Sequence, residues 1–395
     1  MKSRRTSGHS KNEAANSASE ADSAFPLLFA EATPAEYLEH AQSFDITSIL
    51  SEWLGPIGKS GRRDKILILT SQDPPDAHAD FVALELVRRG ETVCRFNTDT
   101  FLQSFELSIS LENSDQASST LASSNFSIPL EEVKSVWFRR PLIPEPGLTR
   151  DPGSLAHRDE YDFVRREAEA ALHGVFAVLS DSFWVTHPDT LKAADNKISM
   201  LRVARQLGLQ IPRTLVTNDP GRARDFFHAC DRRMIVKTFR GYSGSISGEL
   251  KAIWTSPVLE EHLERIELVR NVPCLFQEYV PKDVELRVTV IGRKVFACEI
   301  HSQRSAISRD DWRRYDLDNT PYVACSLPDA VEVACLKLLD AFNLPFGAID
   351  LIRRPDGAYV FLEVNANGQW LWIQELTELP LVESMADLLQ RGTLR

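Results

Sequence analysis

Residues 65–70, KILILT, are apolar without a break, the pattern of a strand buried on both faces. The following AHADFVALELVRRG shifts to a helical spacing and stops at Gly90, and TVCRF (92–96) returns to a strand pattern. This order predicts a β-α-β opening. FELSISL (105–111) and SVWFR (135–139) predict two more strands, with the serine-rich stretch 114–125 between them as a turn or loop. A long helix over about 158–179 leads to FWVTHP, and residues 61–185 are expected to form one α/β domain.

The pattern changes at 195–214, DNKISMLRVARQLGLQIPRT: a helix ends at Gly208 and a strand begins near Ile211. RRMIVKTF predicts a strand, and RGYSGSISG a loop carrying Gly241, Gly244 and Gly248. CLFQEYV (274–280), ELRVTVIG (285–292) and KVFACEI (294–300) predict strands, DAVEVACLKLLDAFNL (329–344) a helix, and about 380–390 a last helix. No internal repeat is visible.

Between those two helices lies GAIDLIRRPDGAYVFLEVNANG (347–368). Arg354-Pro355-Asp356-Gly357 is a turn in which proline fixes φ and glycine tolerates a positive φ. If the loop closes at Arg353 opposite Ala358, Asp350 lies opposite Phe361, and alternation puts Phe361, Glu363 and Asn365 on the face of Asp350. Two readings follow. The face is a solvated side of an amphipathic hairpin, or it is a divalent-metal site whose two carboxylates and one amide oxygen suit Mg²⁺. The second requires a nucleotide site elsewhere in the chain.

Candidates for that site exist. Lys237 ends a strand directly before the glycine loop, where its charge could meet phosphates while backbone N–H groups of Gly241 and Gly244 close over them; the alternative is a solvated lysine at a strand end. Lys197 on the preceding helix is a second candidate. Backbone groups of Gln277, Glu278, Tyr279 and Val280 could bond adenine, and Glu285 the ribose hydroxyls. Arg287 points to the side of Glu285 and could offset anionic oxygens, or it is one half of a surface ion pair. Arg139 and Arg140 could line an interface but read rather as surface charges, His301 could be a general base but reads rather as a structural strand-end His, and Trp370 and Trp372 are either pocket walls or core.

Composition narrows the partners. A net charge of -11 argues against a general nucleic-acid binder. The six cysteines form no CxxC pair, so they read as reduced cytosolic thiols, and a cytoplasmic location is expected. No apolar run is long enough for a membrane helix, and residues 1–60 read as a disordered tail with a short helical extension. Gly58-Lys59-Ser60 lacks the upstream glycine of a P-loop, which has Trp53 in its place. SAFPLLF (23–29) loosely resembles the hydrophobic anchor of a peptide leader.

Taken in order, Lys197, Lys237 with its glycine loop, QEYV, Glu285, Asp350 and FLEVN resemble the ATP-grasp superfamily. The segment ILILTSQDPPDAHADFVALELVRRGETVCRFNTDTF, with VWFRRP, DWRRYD (311–316) and FLEVNANGQWLWIQELTELPL, is similar to the graspetide synthetases, the family of microviridin maturation, over about 64–392. The resemblance implies an α/β chain with α+β lobes: an ATP-grasp fold behind an N-terminal pre-ATP-grasp domain. It implies domains at 61–185, 186–275 (lid lobe) and 276–395 (metal lobe), with ATP and Mg²⁺ as cofactors. Its implied activity converts side-chain carboxylates of a ribosomal precursor peptide to acyl phosphates and joins them to Ser, Thr or Lys side chains. Arg287 and Arg313 would offset developing charge, and Asp350, Glu363 and Asn365 would hold the metal. The expected partners are the leader and core of that peptide and further copies of the chain in a homo-oligomer, with no nucleic acid or membrane. The alternatives are an ATP-grasp ligase acting on amino acids or other small carboxylates, and a non-catalytic nucleotide-binding scaffold.

Overall fold

The computed structural model describes residues 63–394 except 114–117, 125, 146–157, 240–241, 247–248, 254, 310–311 and 313–318. The expectations for residues 1–60, Gly241 and Arg313 lie outside the described residues. The chain divides into two compact units, one of Met1–Lys134 with Arg139–Ser182, the other of Ser135–Phe138 with Phe183–Arg395.

In the first unit β1 (Lys65–Thr70) is buried at every position, as its unbroken apolar run predicts. Helix α1 (Ala77–Arg88) follows, and β2 (Thr92–Asn97) pairs with β1 in parallel from Lys65–Thr92 to Thr70–Asn97. After the short α2 (Phe101–Ser104), β3 (Phe105–Ser110), β4 (Ser118–Ser123) and β5 (Ser127–Pro129) form a three-stranded antiparallel sheet. The expected loop at 114–125 is therefore in part a strand. Its serines discourage that reading, but Ser119 and Leu121 turn inward and ladder hydrogen bonds override the weak local preference. Strand β6 (Val133–Phe138) is shared between the units, and α3 (Arg158–Val178) completes the first.

Arg139 corrects a second expectation. Its side chain is 1% exposed, with Nε 3.0 Å from an Asp76 carboxylate oxygen. Asp76 also caps α1, accepting hydrogen bonds from the N–H groups of His78 and Ala79. A charge buried this deeply requires a partner, and the partner lies 63 residues away, beyond local pattern reading. Arg140 is exposed, as expected.

In the second unit β7 (Phe183–Val185) pairs in parallel with Ser135–Trp137, and α4 (Pro188–Ala194) and α5 (Lys197–Gln206) follow. Next come β8 (Thr214–Thr217), α6 (Pro220–Ala229), β9 (Met234–Lys237), β10 (Tyr242–Ile246), β11 (Glu249–Ile253), β12 (Ser256–Val258) and β13 (Cys274–Glu278). Strands β12, β9, β13 and β8, in that order, make an antiparallel sheet over a core of Phe227, Met234, Leu263, Ile266 and Phe276. The expected glycine loop is a hairpin, β10 against β11, with Gly244 opposite Lys251.

A second sheet in this unit contains β14 (Val284–Ile291), β15 (Lys294–Ile300), β16 (Tyr322–Cys325), β17 (Phe346–Arg353) and β18 (Tyr359–Asn365), ordered β16-β15-β14-β17-β18 and antiparallel throughout. Helix α7 (Asp329–Ala341) precedes β17, and α8 (Leu371–Thr377) and α9 (Leu381–Arg391) close the chain. The central strand β14 is buried along its whole length, which fixes the directions of Glu285 and Arg287.

Candidate nucleotide and metal site

The hairpin β17–β18 turns at Arg354–Gly357, with Gly357 at φ +84 and its N–H bonded to the Arg354 carbonyl at 2.9 Å. The register differs from the expected one. Arg353 pairs with Tyr359 and Leu351 with Phe361, which alone would turn Glu363 away from Asp350. A bulge between Asp350 and Leu351 resets the ladder, and Asp350 pairs directly with Glu363 and Ala348 with Asn365. Asp350, Glu363 and Asn365 thus share a face. Phe361 does not join them: it is fully buried in the core with Leu351, Ile349 and Val364.

Each carboxylate on this face meets a cation of the chain. Arg287, opposite Asp350 across the β14–β17 ladder, places Nε 3.4 Å from Asp350 Oδ1. Lys197, the first residue of α5, pairs through Nζ with Glu363 Oε2. Asn365 Oδ1 accepts from the Asn367 N–H at 3.1 Å, so an Asx turn fixes the amide. Gly368 closes beneath it: a Cβ there would stand 2.7 Å from Ala348 Cβ and 3.2 Å from Asn365 Cβ. That contact explains the glycine in NANGQW.

A cleft runs along this face. Lys237, Gln277, Glu278, Tyr279, Val280 and Glu285 line it, together with Asp350 and Glu363. The structure therefore brings most of the expected residues to one cavity. Ile235, Val280, Ile352 and Leu362 supply apolar walls. Leu362 is the extra residue of the bulge. Gln277 is 2% exposed, donates Nε2 to Thr214 Oγ1 at 3.0 Å, and keeps an Oε1 with no hydrogen-bond partner among the described residues. A buried amide oxygen in that state fits a ligand N–H donor.

Several side chains are held in ways the sequence does not disclose. Glu278 receives Arg213 Nε at 2.6 Å, so its carboxylate is engaged within the chain. Glu285 is 5% exposed and accepts from Lys282 Nζ at 2.9 Å and from the Ser302 hydroxyl. His301 sits 3.2 Å from Glu299, outside the cleft lining, in keeping with a structural role. Trp370 and Trp372 are 0% and 3% exposed, which resolves their alternatives in favour of core. The wall they were considered for is supplied by Trp312, and Lys282 is a further lining residue that pattern reading missed. Only its position three residues before Glu285 hinted at it.

The donor set suits the expected cofactors. Among the described residues no group of three or more His, Cys, Asp or Glu is placed to hold a metal. Two carboxylates and an amide form an incomplete hard-oxygen set, of the kind that Mg²⁺ completes with water and phosphate oxygens. Lys237 and Lys197 border the cavities on either side of Glu363, where phosphates would place their charge.

A cleft lined by residues of two antiparallel sheets, with Asp, Glu and Asn on one hairpin face, is the arrangement expected of an ATP-grasp ligase, and comparison with known proteins shows that class. Residues 65–192 match the MvdD pre-ATP grasp domain and residues 194–389 the RimK-like ATP-grasp domain. A RiPP-associated ATP-grasp ligase of Chryseobacterium gregarium, in complex with ADP and a leader and core peptide, is 31% identical with a TM-score of 0.76, covering 84% of this chain and 97% of that one. The macrocyclase MdnB of Microcystis aeruginosa MRC is 31% identical with a TM-score of 0.67, covering 82% of this chain and 99% of that one. The macrocyclase MdnC from the same organism, bound with precursor peptide MdnA, is 27% identical with a TM-score of 0.70 over 83% and 99%. The chain belongs to the RiPP-associated ATP-grasp ligases, the graspetide synthetase family. ATP and Mg²⁺ are the cofactors of this family.

Curated relatives match the ATP-grasp part. Human N-acetylaspartylglutamate synthase A is 25% identical over 51% of this chain, and the tetrahydromethanopterin:alpha-L-glutamate ligase of Methanocaldococcus jannaschii 22% over 51%. The chain spans about half the length of the first and 68% of the second. Among the described residues no helix is long and apolar enough to cross a membrane.

Proposed function

We propose that the protein activates Asp or Glu side chains of a ribosomal precursor peptide with ATP and joins them to Ser, Thr or Lys side chains, closing ester or amide rings. The observation that carries this reading is the single cleft lined at once by Lys237, the Gln277–Val280 segment, Asp350 and Glu363. Likeness at 31% identity to a ligase bound with leader and core peptide supports the substrate class.

In this reading adenine lies against Ile235, Val280, Ile352 and Leu362 and bonds backbone groups of 277–280 and Gln277 Oε1. Glu285 and Lys282 meet the ribose. Lys197 and Lys237 hold the phosphates, and Asp350, Glu363 and Asn365 would hold Mg²⁺, which neutralises charge on the γ-phosphoryl when bound. The peptide carboxylate takes that phosphoryl, giving an acyl phosphate and ADP. A hydroxyl or amine then attacks the acyl carbon, phosphate leaves with the bonding pair, and the nucleophile's proton passes to solvent or phosphate. Arg287, and with it Arg313, offsets charge on the transferred group. The lobes 186–275 and 276–395 clasp the nucleotide, the leader docks away from Asp350, and the enzyme works in the cytoplasm as a homo-oligomer.

The decisive experiment supplies ATP, Mg²⁺ and a short Asp/Glu- and Ser/Thr-rich peptide encoded beside the gene. Mass spectrometry should show loss of one water per bond and a product that resists fragmentation between linked residues. A second reading, ligation of free amino acids or other small carboxylates, is favoured by the curated relatives. Phosphate release with free amino acids, and no mass loss from the peptide, would establish it instead.

A further inference from the structure

Arg287 is 6% exposed, and its Nε and Nη1 make no hydrogen bond among the described residues. Its contact with Asp350 is an ion pair at 3.4 Å, longer than a hydrogen bond that would lock an orientation. The guanidinium instead lies over an aromatic face, with Cζ 4.9 Å from the ring centroid of Trp312. Trp312 is 6% exposed and packs at a tilt against Trp372, centroids 5.2 Å apart, and Tyr322 meets Trp372 edge-on at 5.2 Å. A planar cation on an indole is fixed in tilt and distance while its N–H groups stay available to an anion.

Described residues on either side of Trp312 in the chain are tied to one another and to the cleft. Ser302 donates to Glu285 Oε2, while Lys282 Nζ and Gln303 Nε2 donate to the Arg309 carbonyl at 3.1 and 2.9 Å. Ser308 Oγ lies 2.9 Å from Thr320 Oγ1. Glu285 on the strand of Arg287, and Lys282 just before it, are thus tied to Ser302 and Arg309.

We propose that Trp312 is a positioning residue for Arg287: its indole face holds the guanidinium beside Asp350 with N–H groups directed at the transferred phosphoryl. This rests on the role given to Arg287 above. Trp312 itself touches no reacting atom; it acts by restricting a cation that hydrogen bonds leave unfixed.

The test observes Arg287 directly. In the full chain bound to ADP·Mg²⁺, the Nε–Hε resonance of Arg287, assigned by its loss in Arg287→Lys, should lie upfield from the indole ring current. Trp312→Leu keeps apolar bulk but removes the π face. It should move that resonance downfield and speed its exchange with water several-fold. Trp312→Phe should restore most of the upfield position. An Arg287 resonance that is the same in wild type and Trp312→Leu overturns the proposal, as does a Trp312→Phe variant indistinguishable from Trp312→Leu. A protein that turns over ATP with no peptide or amino acid removes the ligase reading, yet the Arg287 resonance still decides the stacking.

Discussion

Asp350 sits directly across the ladder from Glu363, and it does so because one bulge in β18 cancels one residue of slip in the turn. Without the bulge the two carboxylates would face opposite sides of the sheet. With it they share a face and admit Leu362 to the cleft wall as well.

Replacing either carboxylate with its amide therefore tests the metal face without disturbing packing. Asp350→Asn, Glu363→Gln and Asn365→Ala should each lower Mg²⁺-dependent ATP turnover by about 100-fold or more, the scale of losing a charge-stabilising group. Thermal unfolding should change little for Glu363→Gln and Asn365→Ala, whereas Asp350→Asn leaves the buried Arg287 without its carboxylate and should lower it. Near-normal turnover in all three would return the hairpin to a solvated face.

Lys237→Ala should weaken ATP far more than AMP, since its charge meets phosphates rather than the base. Loss of one such contact is worth about tenfold, or ~1.4 kcal/mol, in Kd for ATP. Calorimetric titration with both nucleotides checks it, and equal weakening would remove Lys237 from the phosphate grip.

Gly368→Ala should destabilise the protein by about 1–3 kcal/mol, because the added methyl meets Ala348 Cβ at 2.7 Å and one of the two must move. Asn365 borders the same space, so the Mg²⁺ concentration for half-maximal turnover should rise in parallel. Urea unfolding and a Mg²⁺ titration give the two readouts.

The buried Asp76–His78–Arg139 cluster predicts a pH dependence. Burial, then the Arg139 charge, pushes the His78 imidazole down to about 4. Burial alone would raise the Asp76 carboxyl, but Arg139 and His78 outweigh it and hold it well below the usual carboxylate range. Both shifts are downward, so both contribute stability at high pH that is lost as pH falls. For His78 the loss begins near its unfolded value of about 6.5 and continues towards 4, on the order of 3 kcal/mol in all. The urea midpoint should fall between pH 7 and pH 4.5, and His78→Gln should flatten that slope. An unchanged slope would show that His78 titrates alike in the folded and unfolded chain.

The sequence by itself determined the elements and their order. KILILT could only be a doubly buried strand, Arg354–Gly357 only a turn, and the order of Lys197, Lys237, QEYV, Asp350 and FLEVN carried the ATP-grasp resemblance, because these signals are local or depend on order alone. The tertiary structure decided what local signals cannot carry. Ser118–Ser123 became a strand because a partner strand was available, Arg139 went inside because Asp76 was there to meet it, and Trp372 joined the core because Trp312 covered it. Even the shared face of Asp350, Glu363 and Asn365 depended on a bulge, since hairpin register is set by hydrogen bonds across the sheet and by which residues the core accepts. Phe361 went to the core and Glu363 to the cleft, and the extra residue between them let both happen.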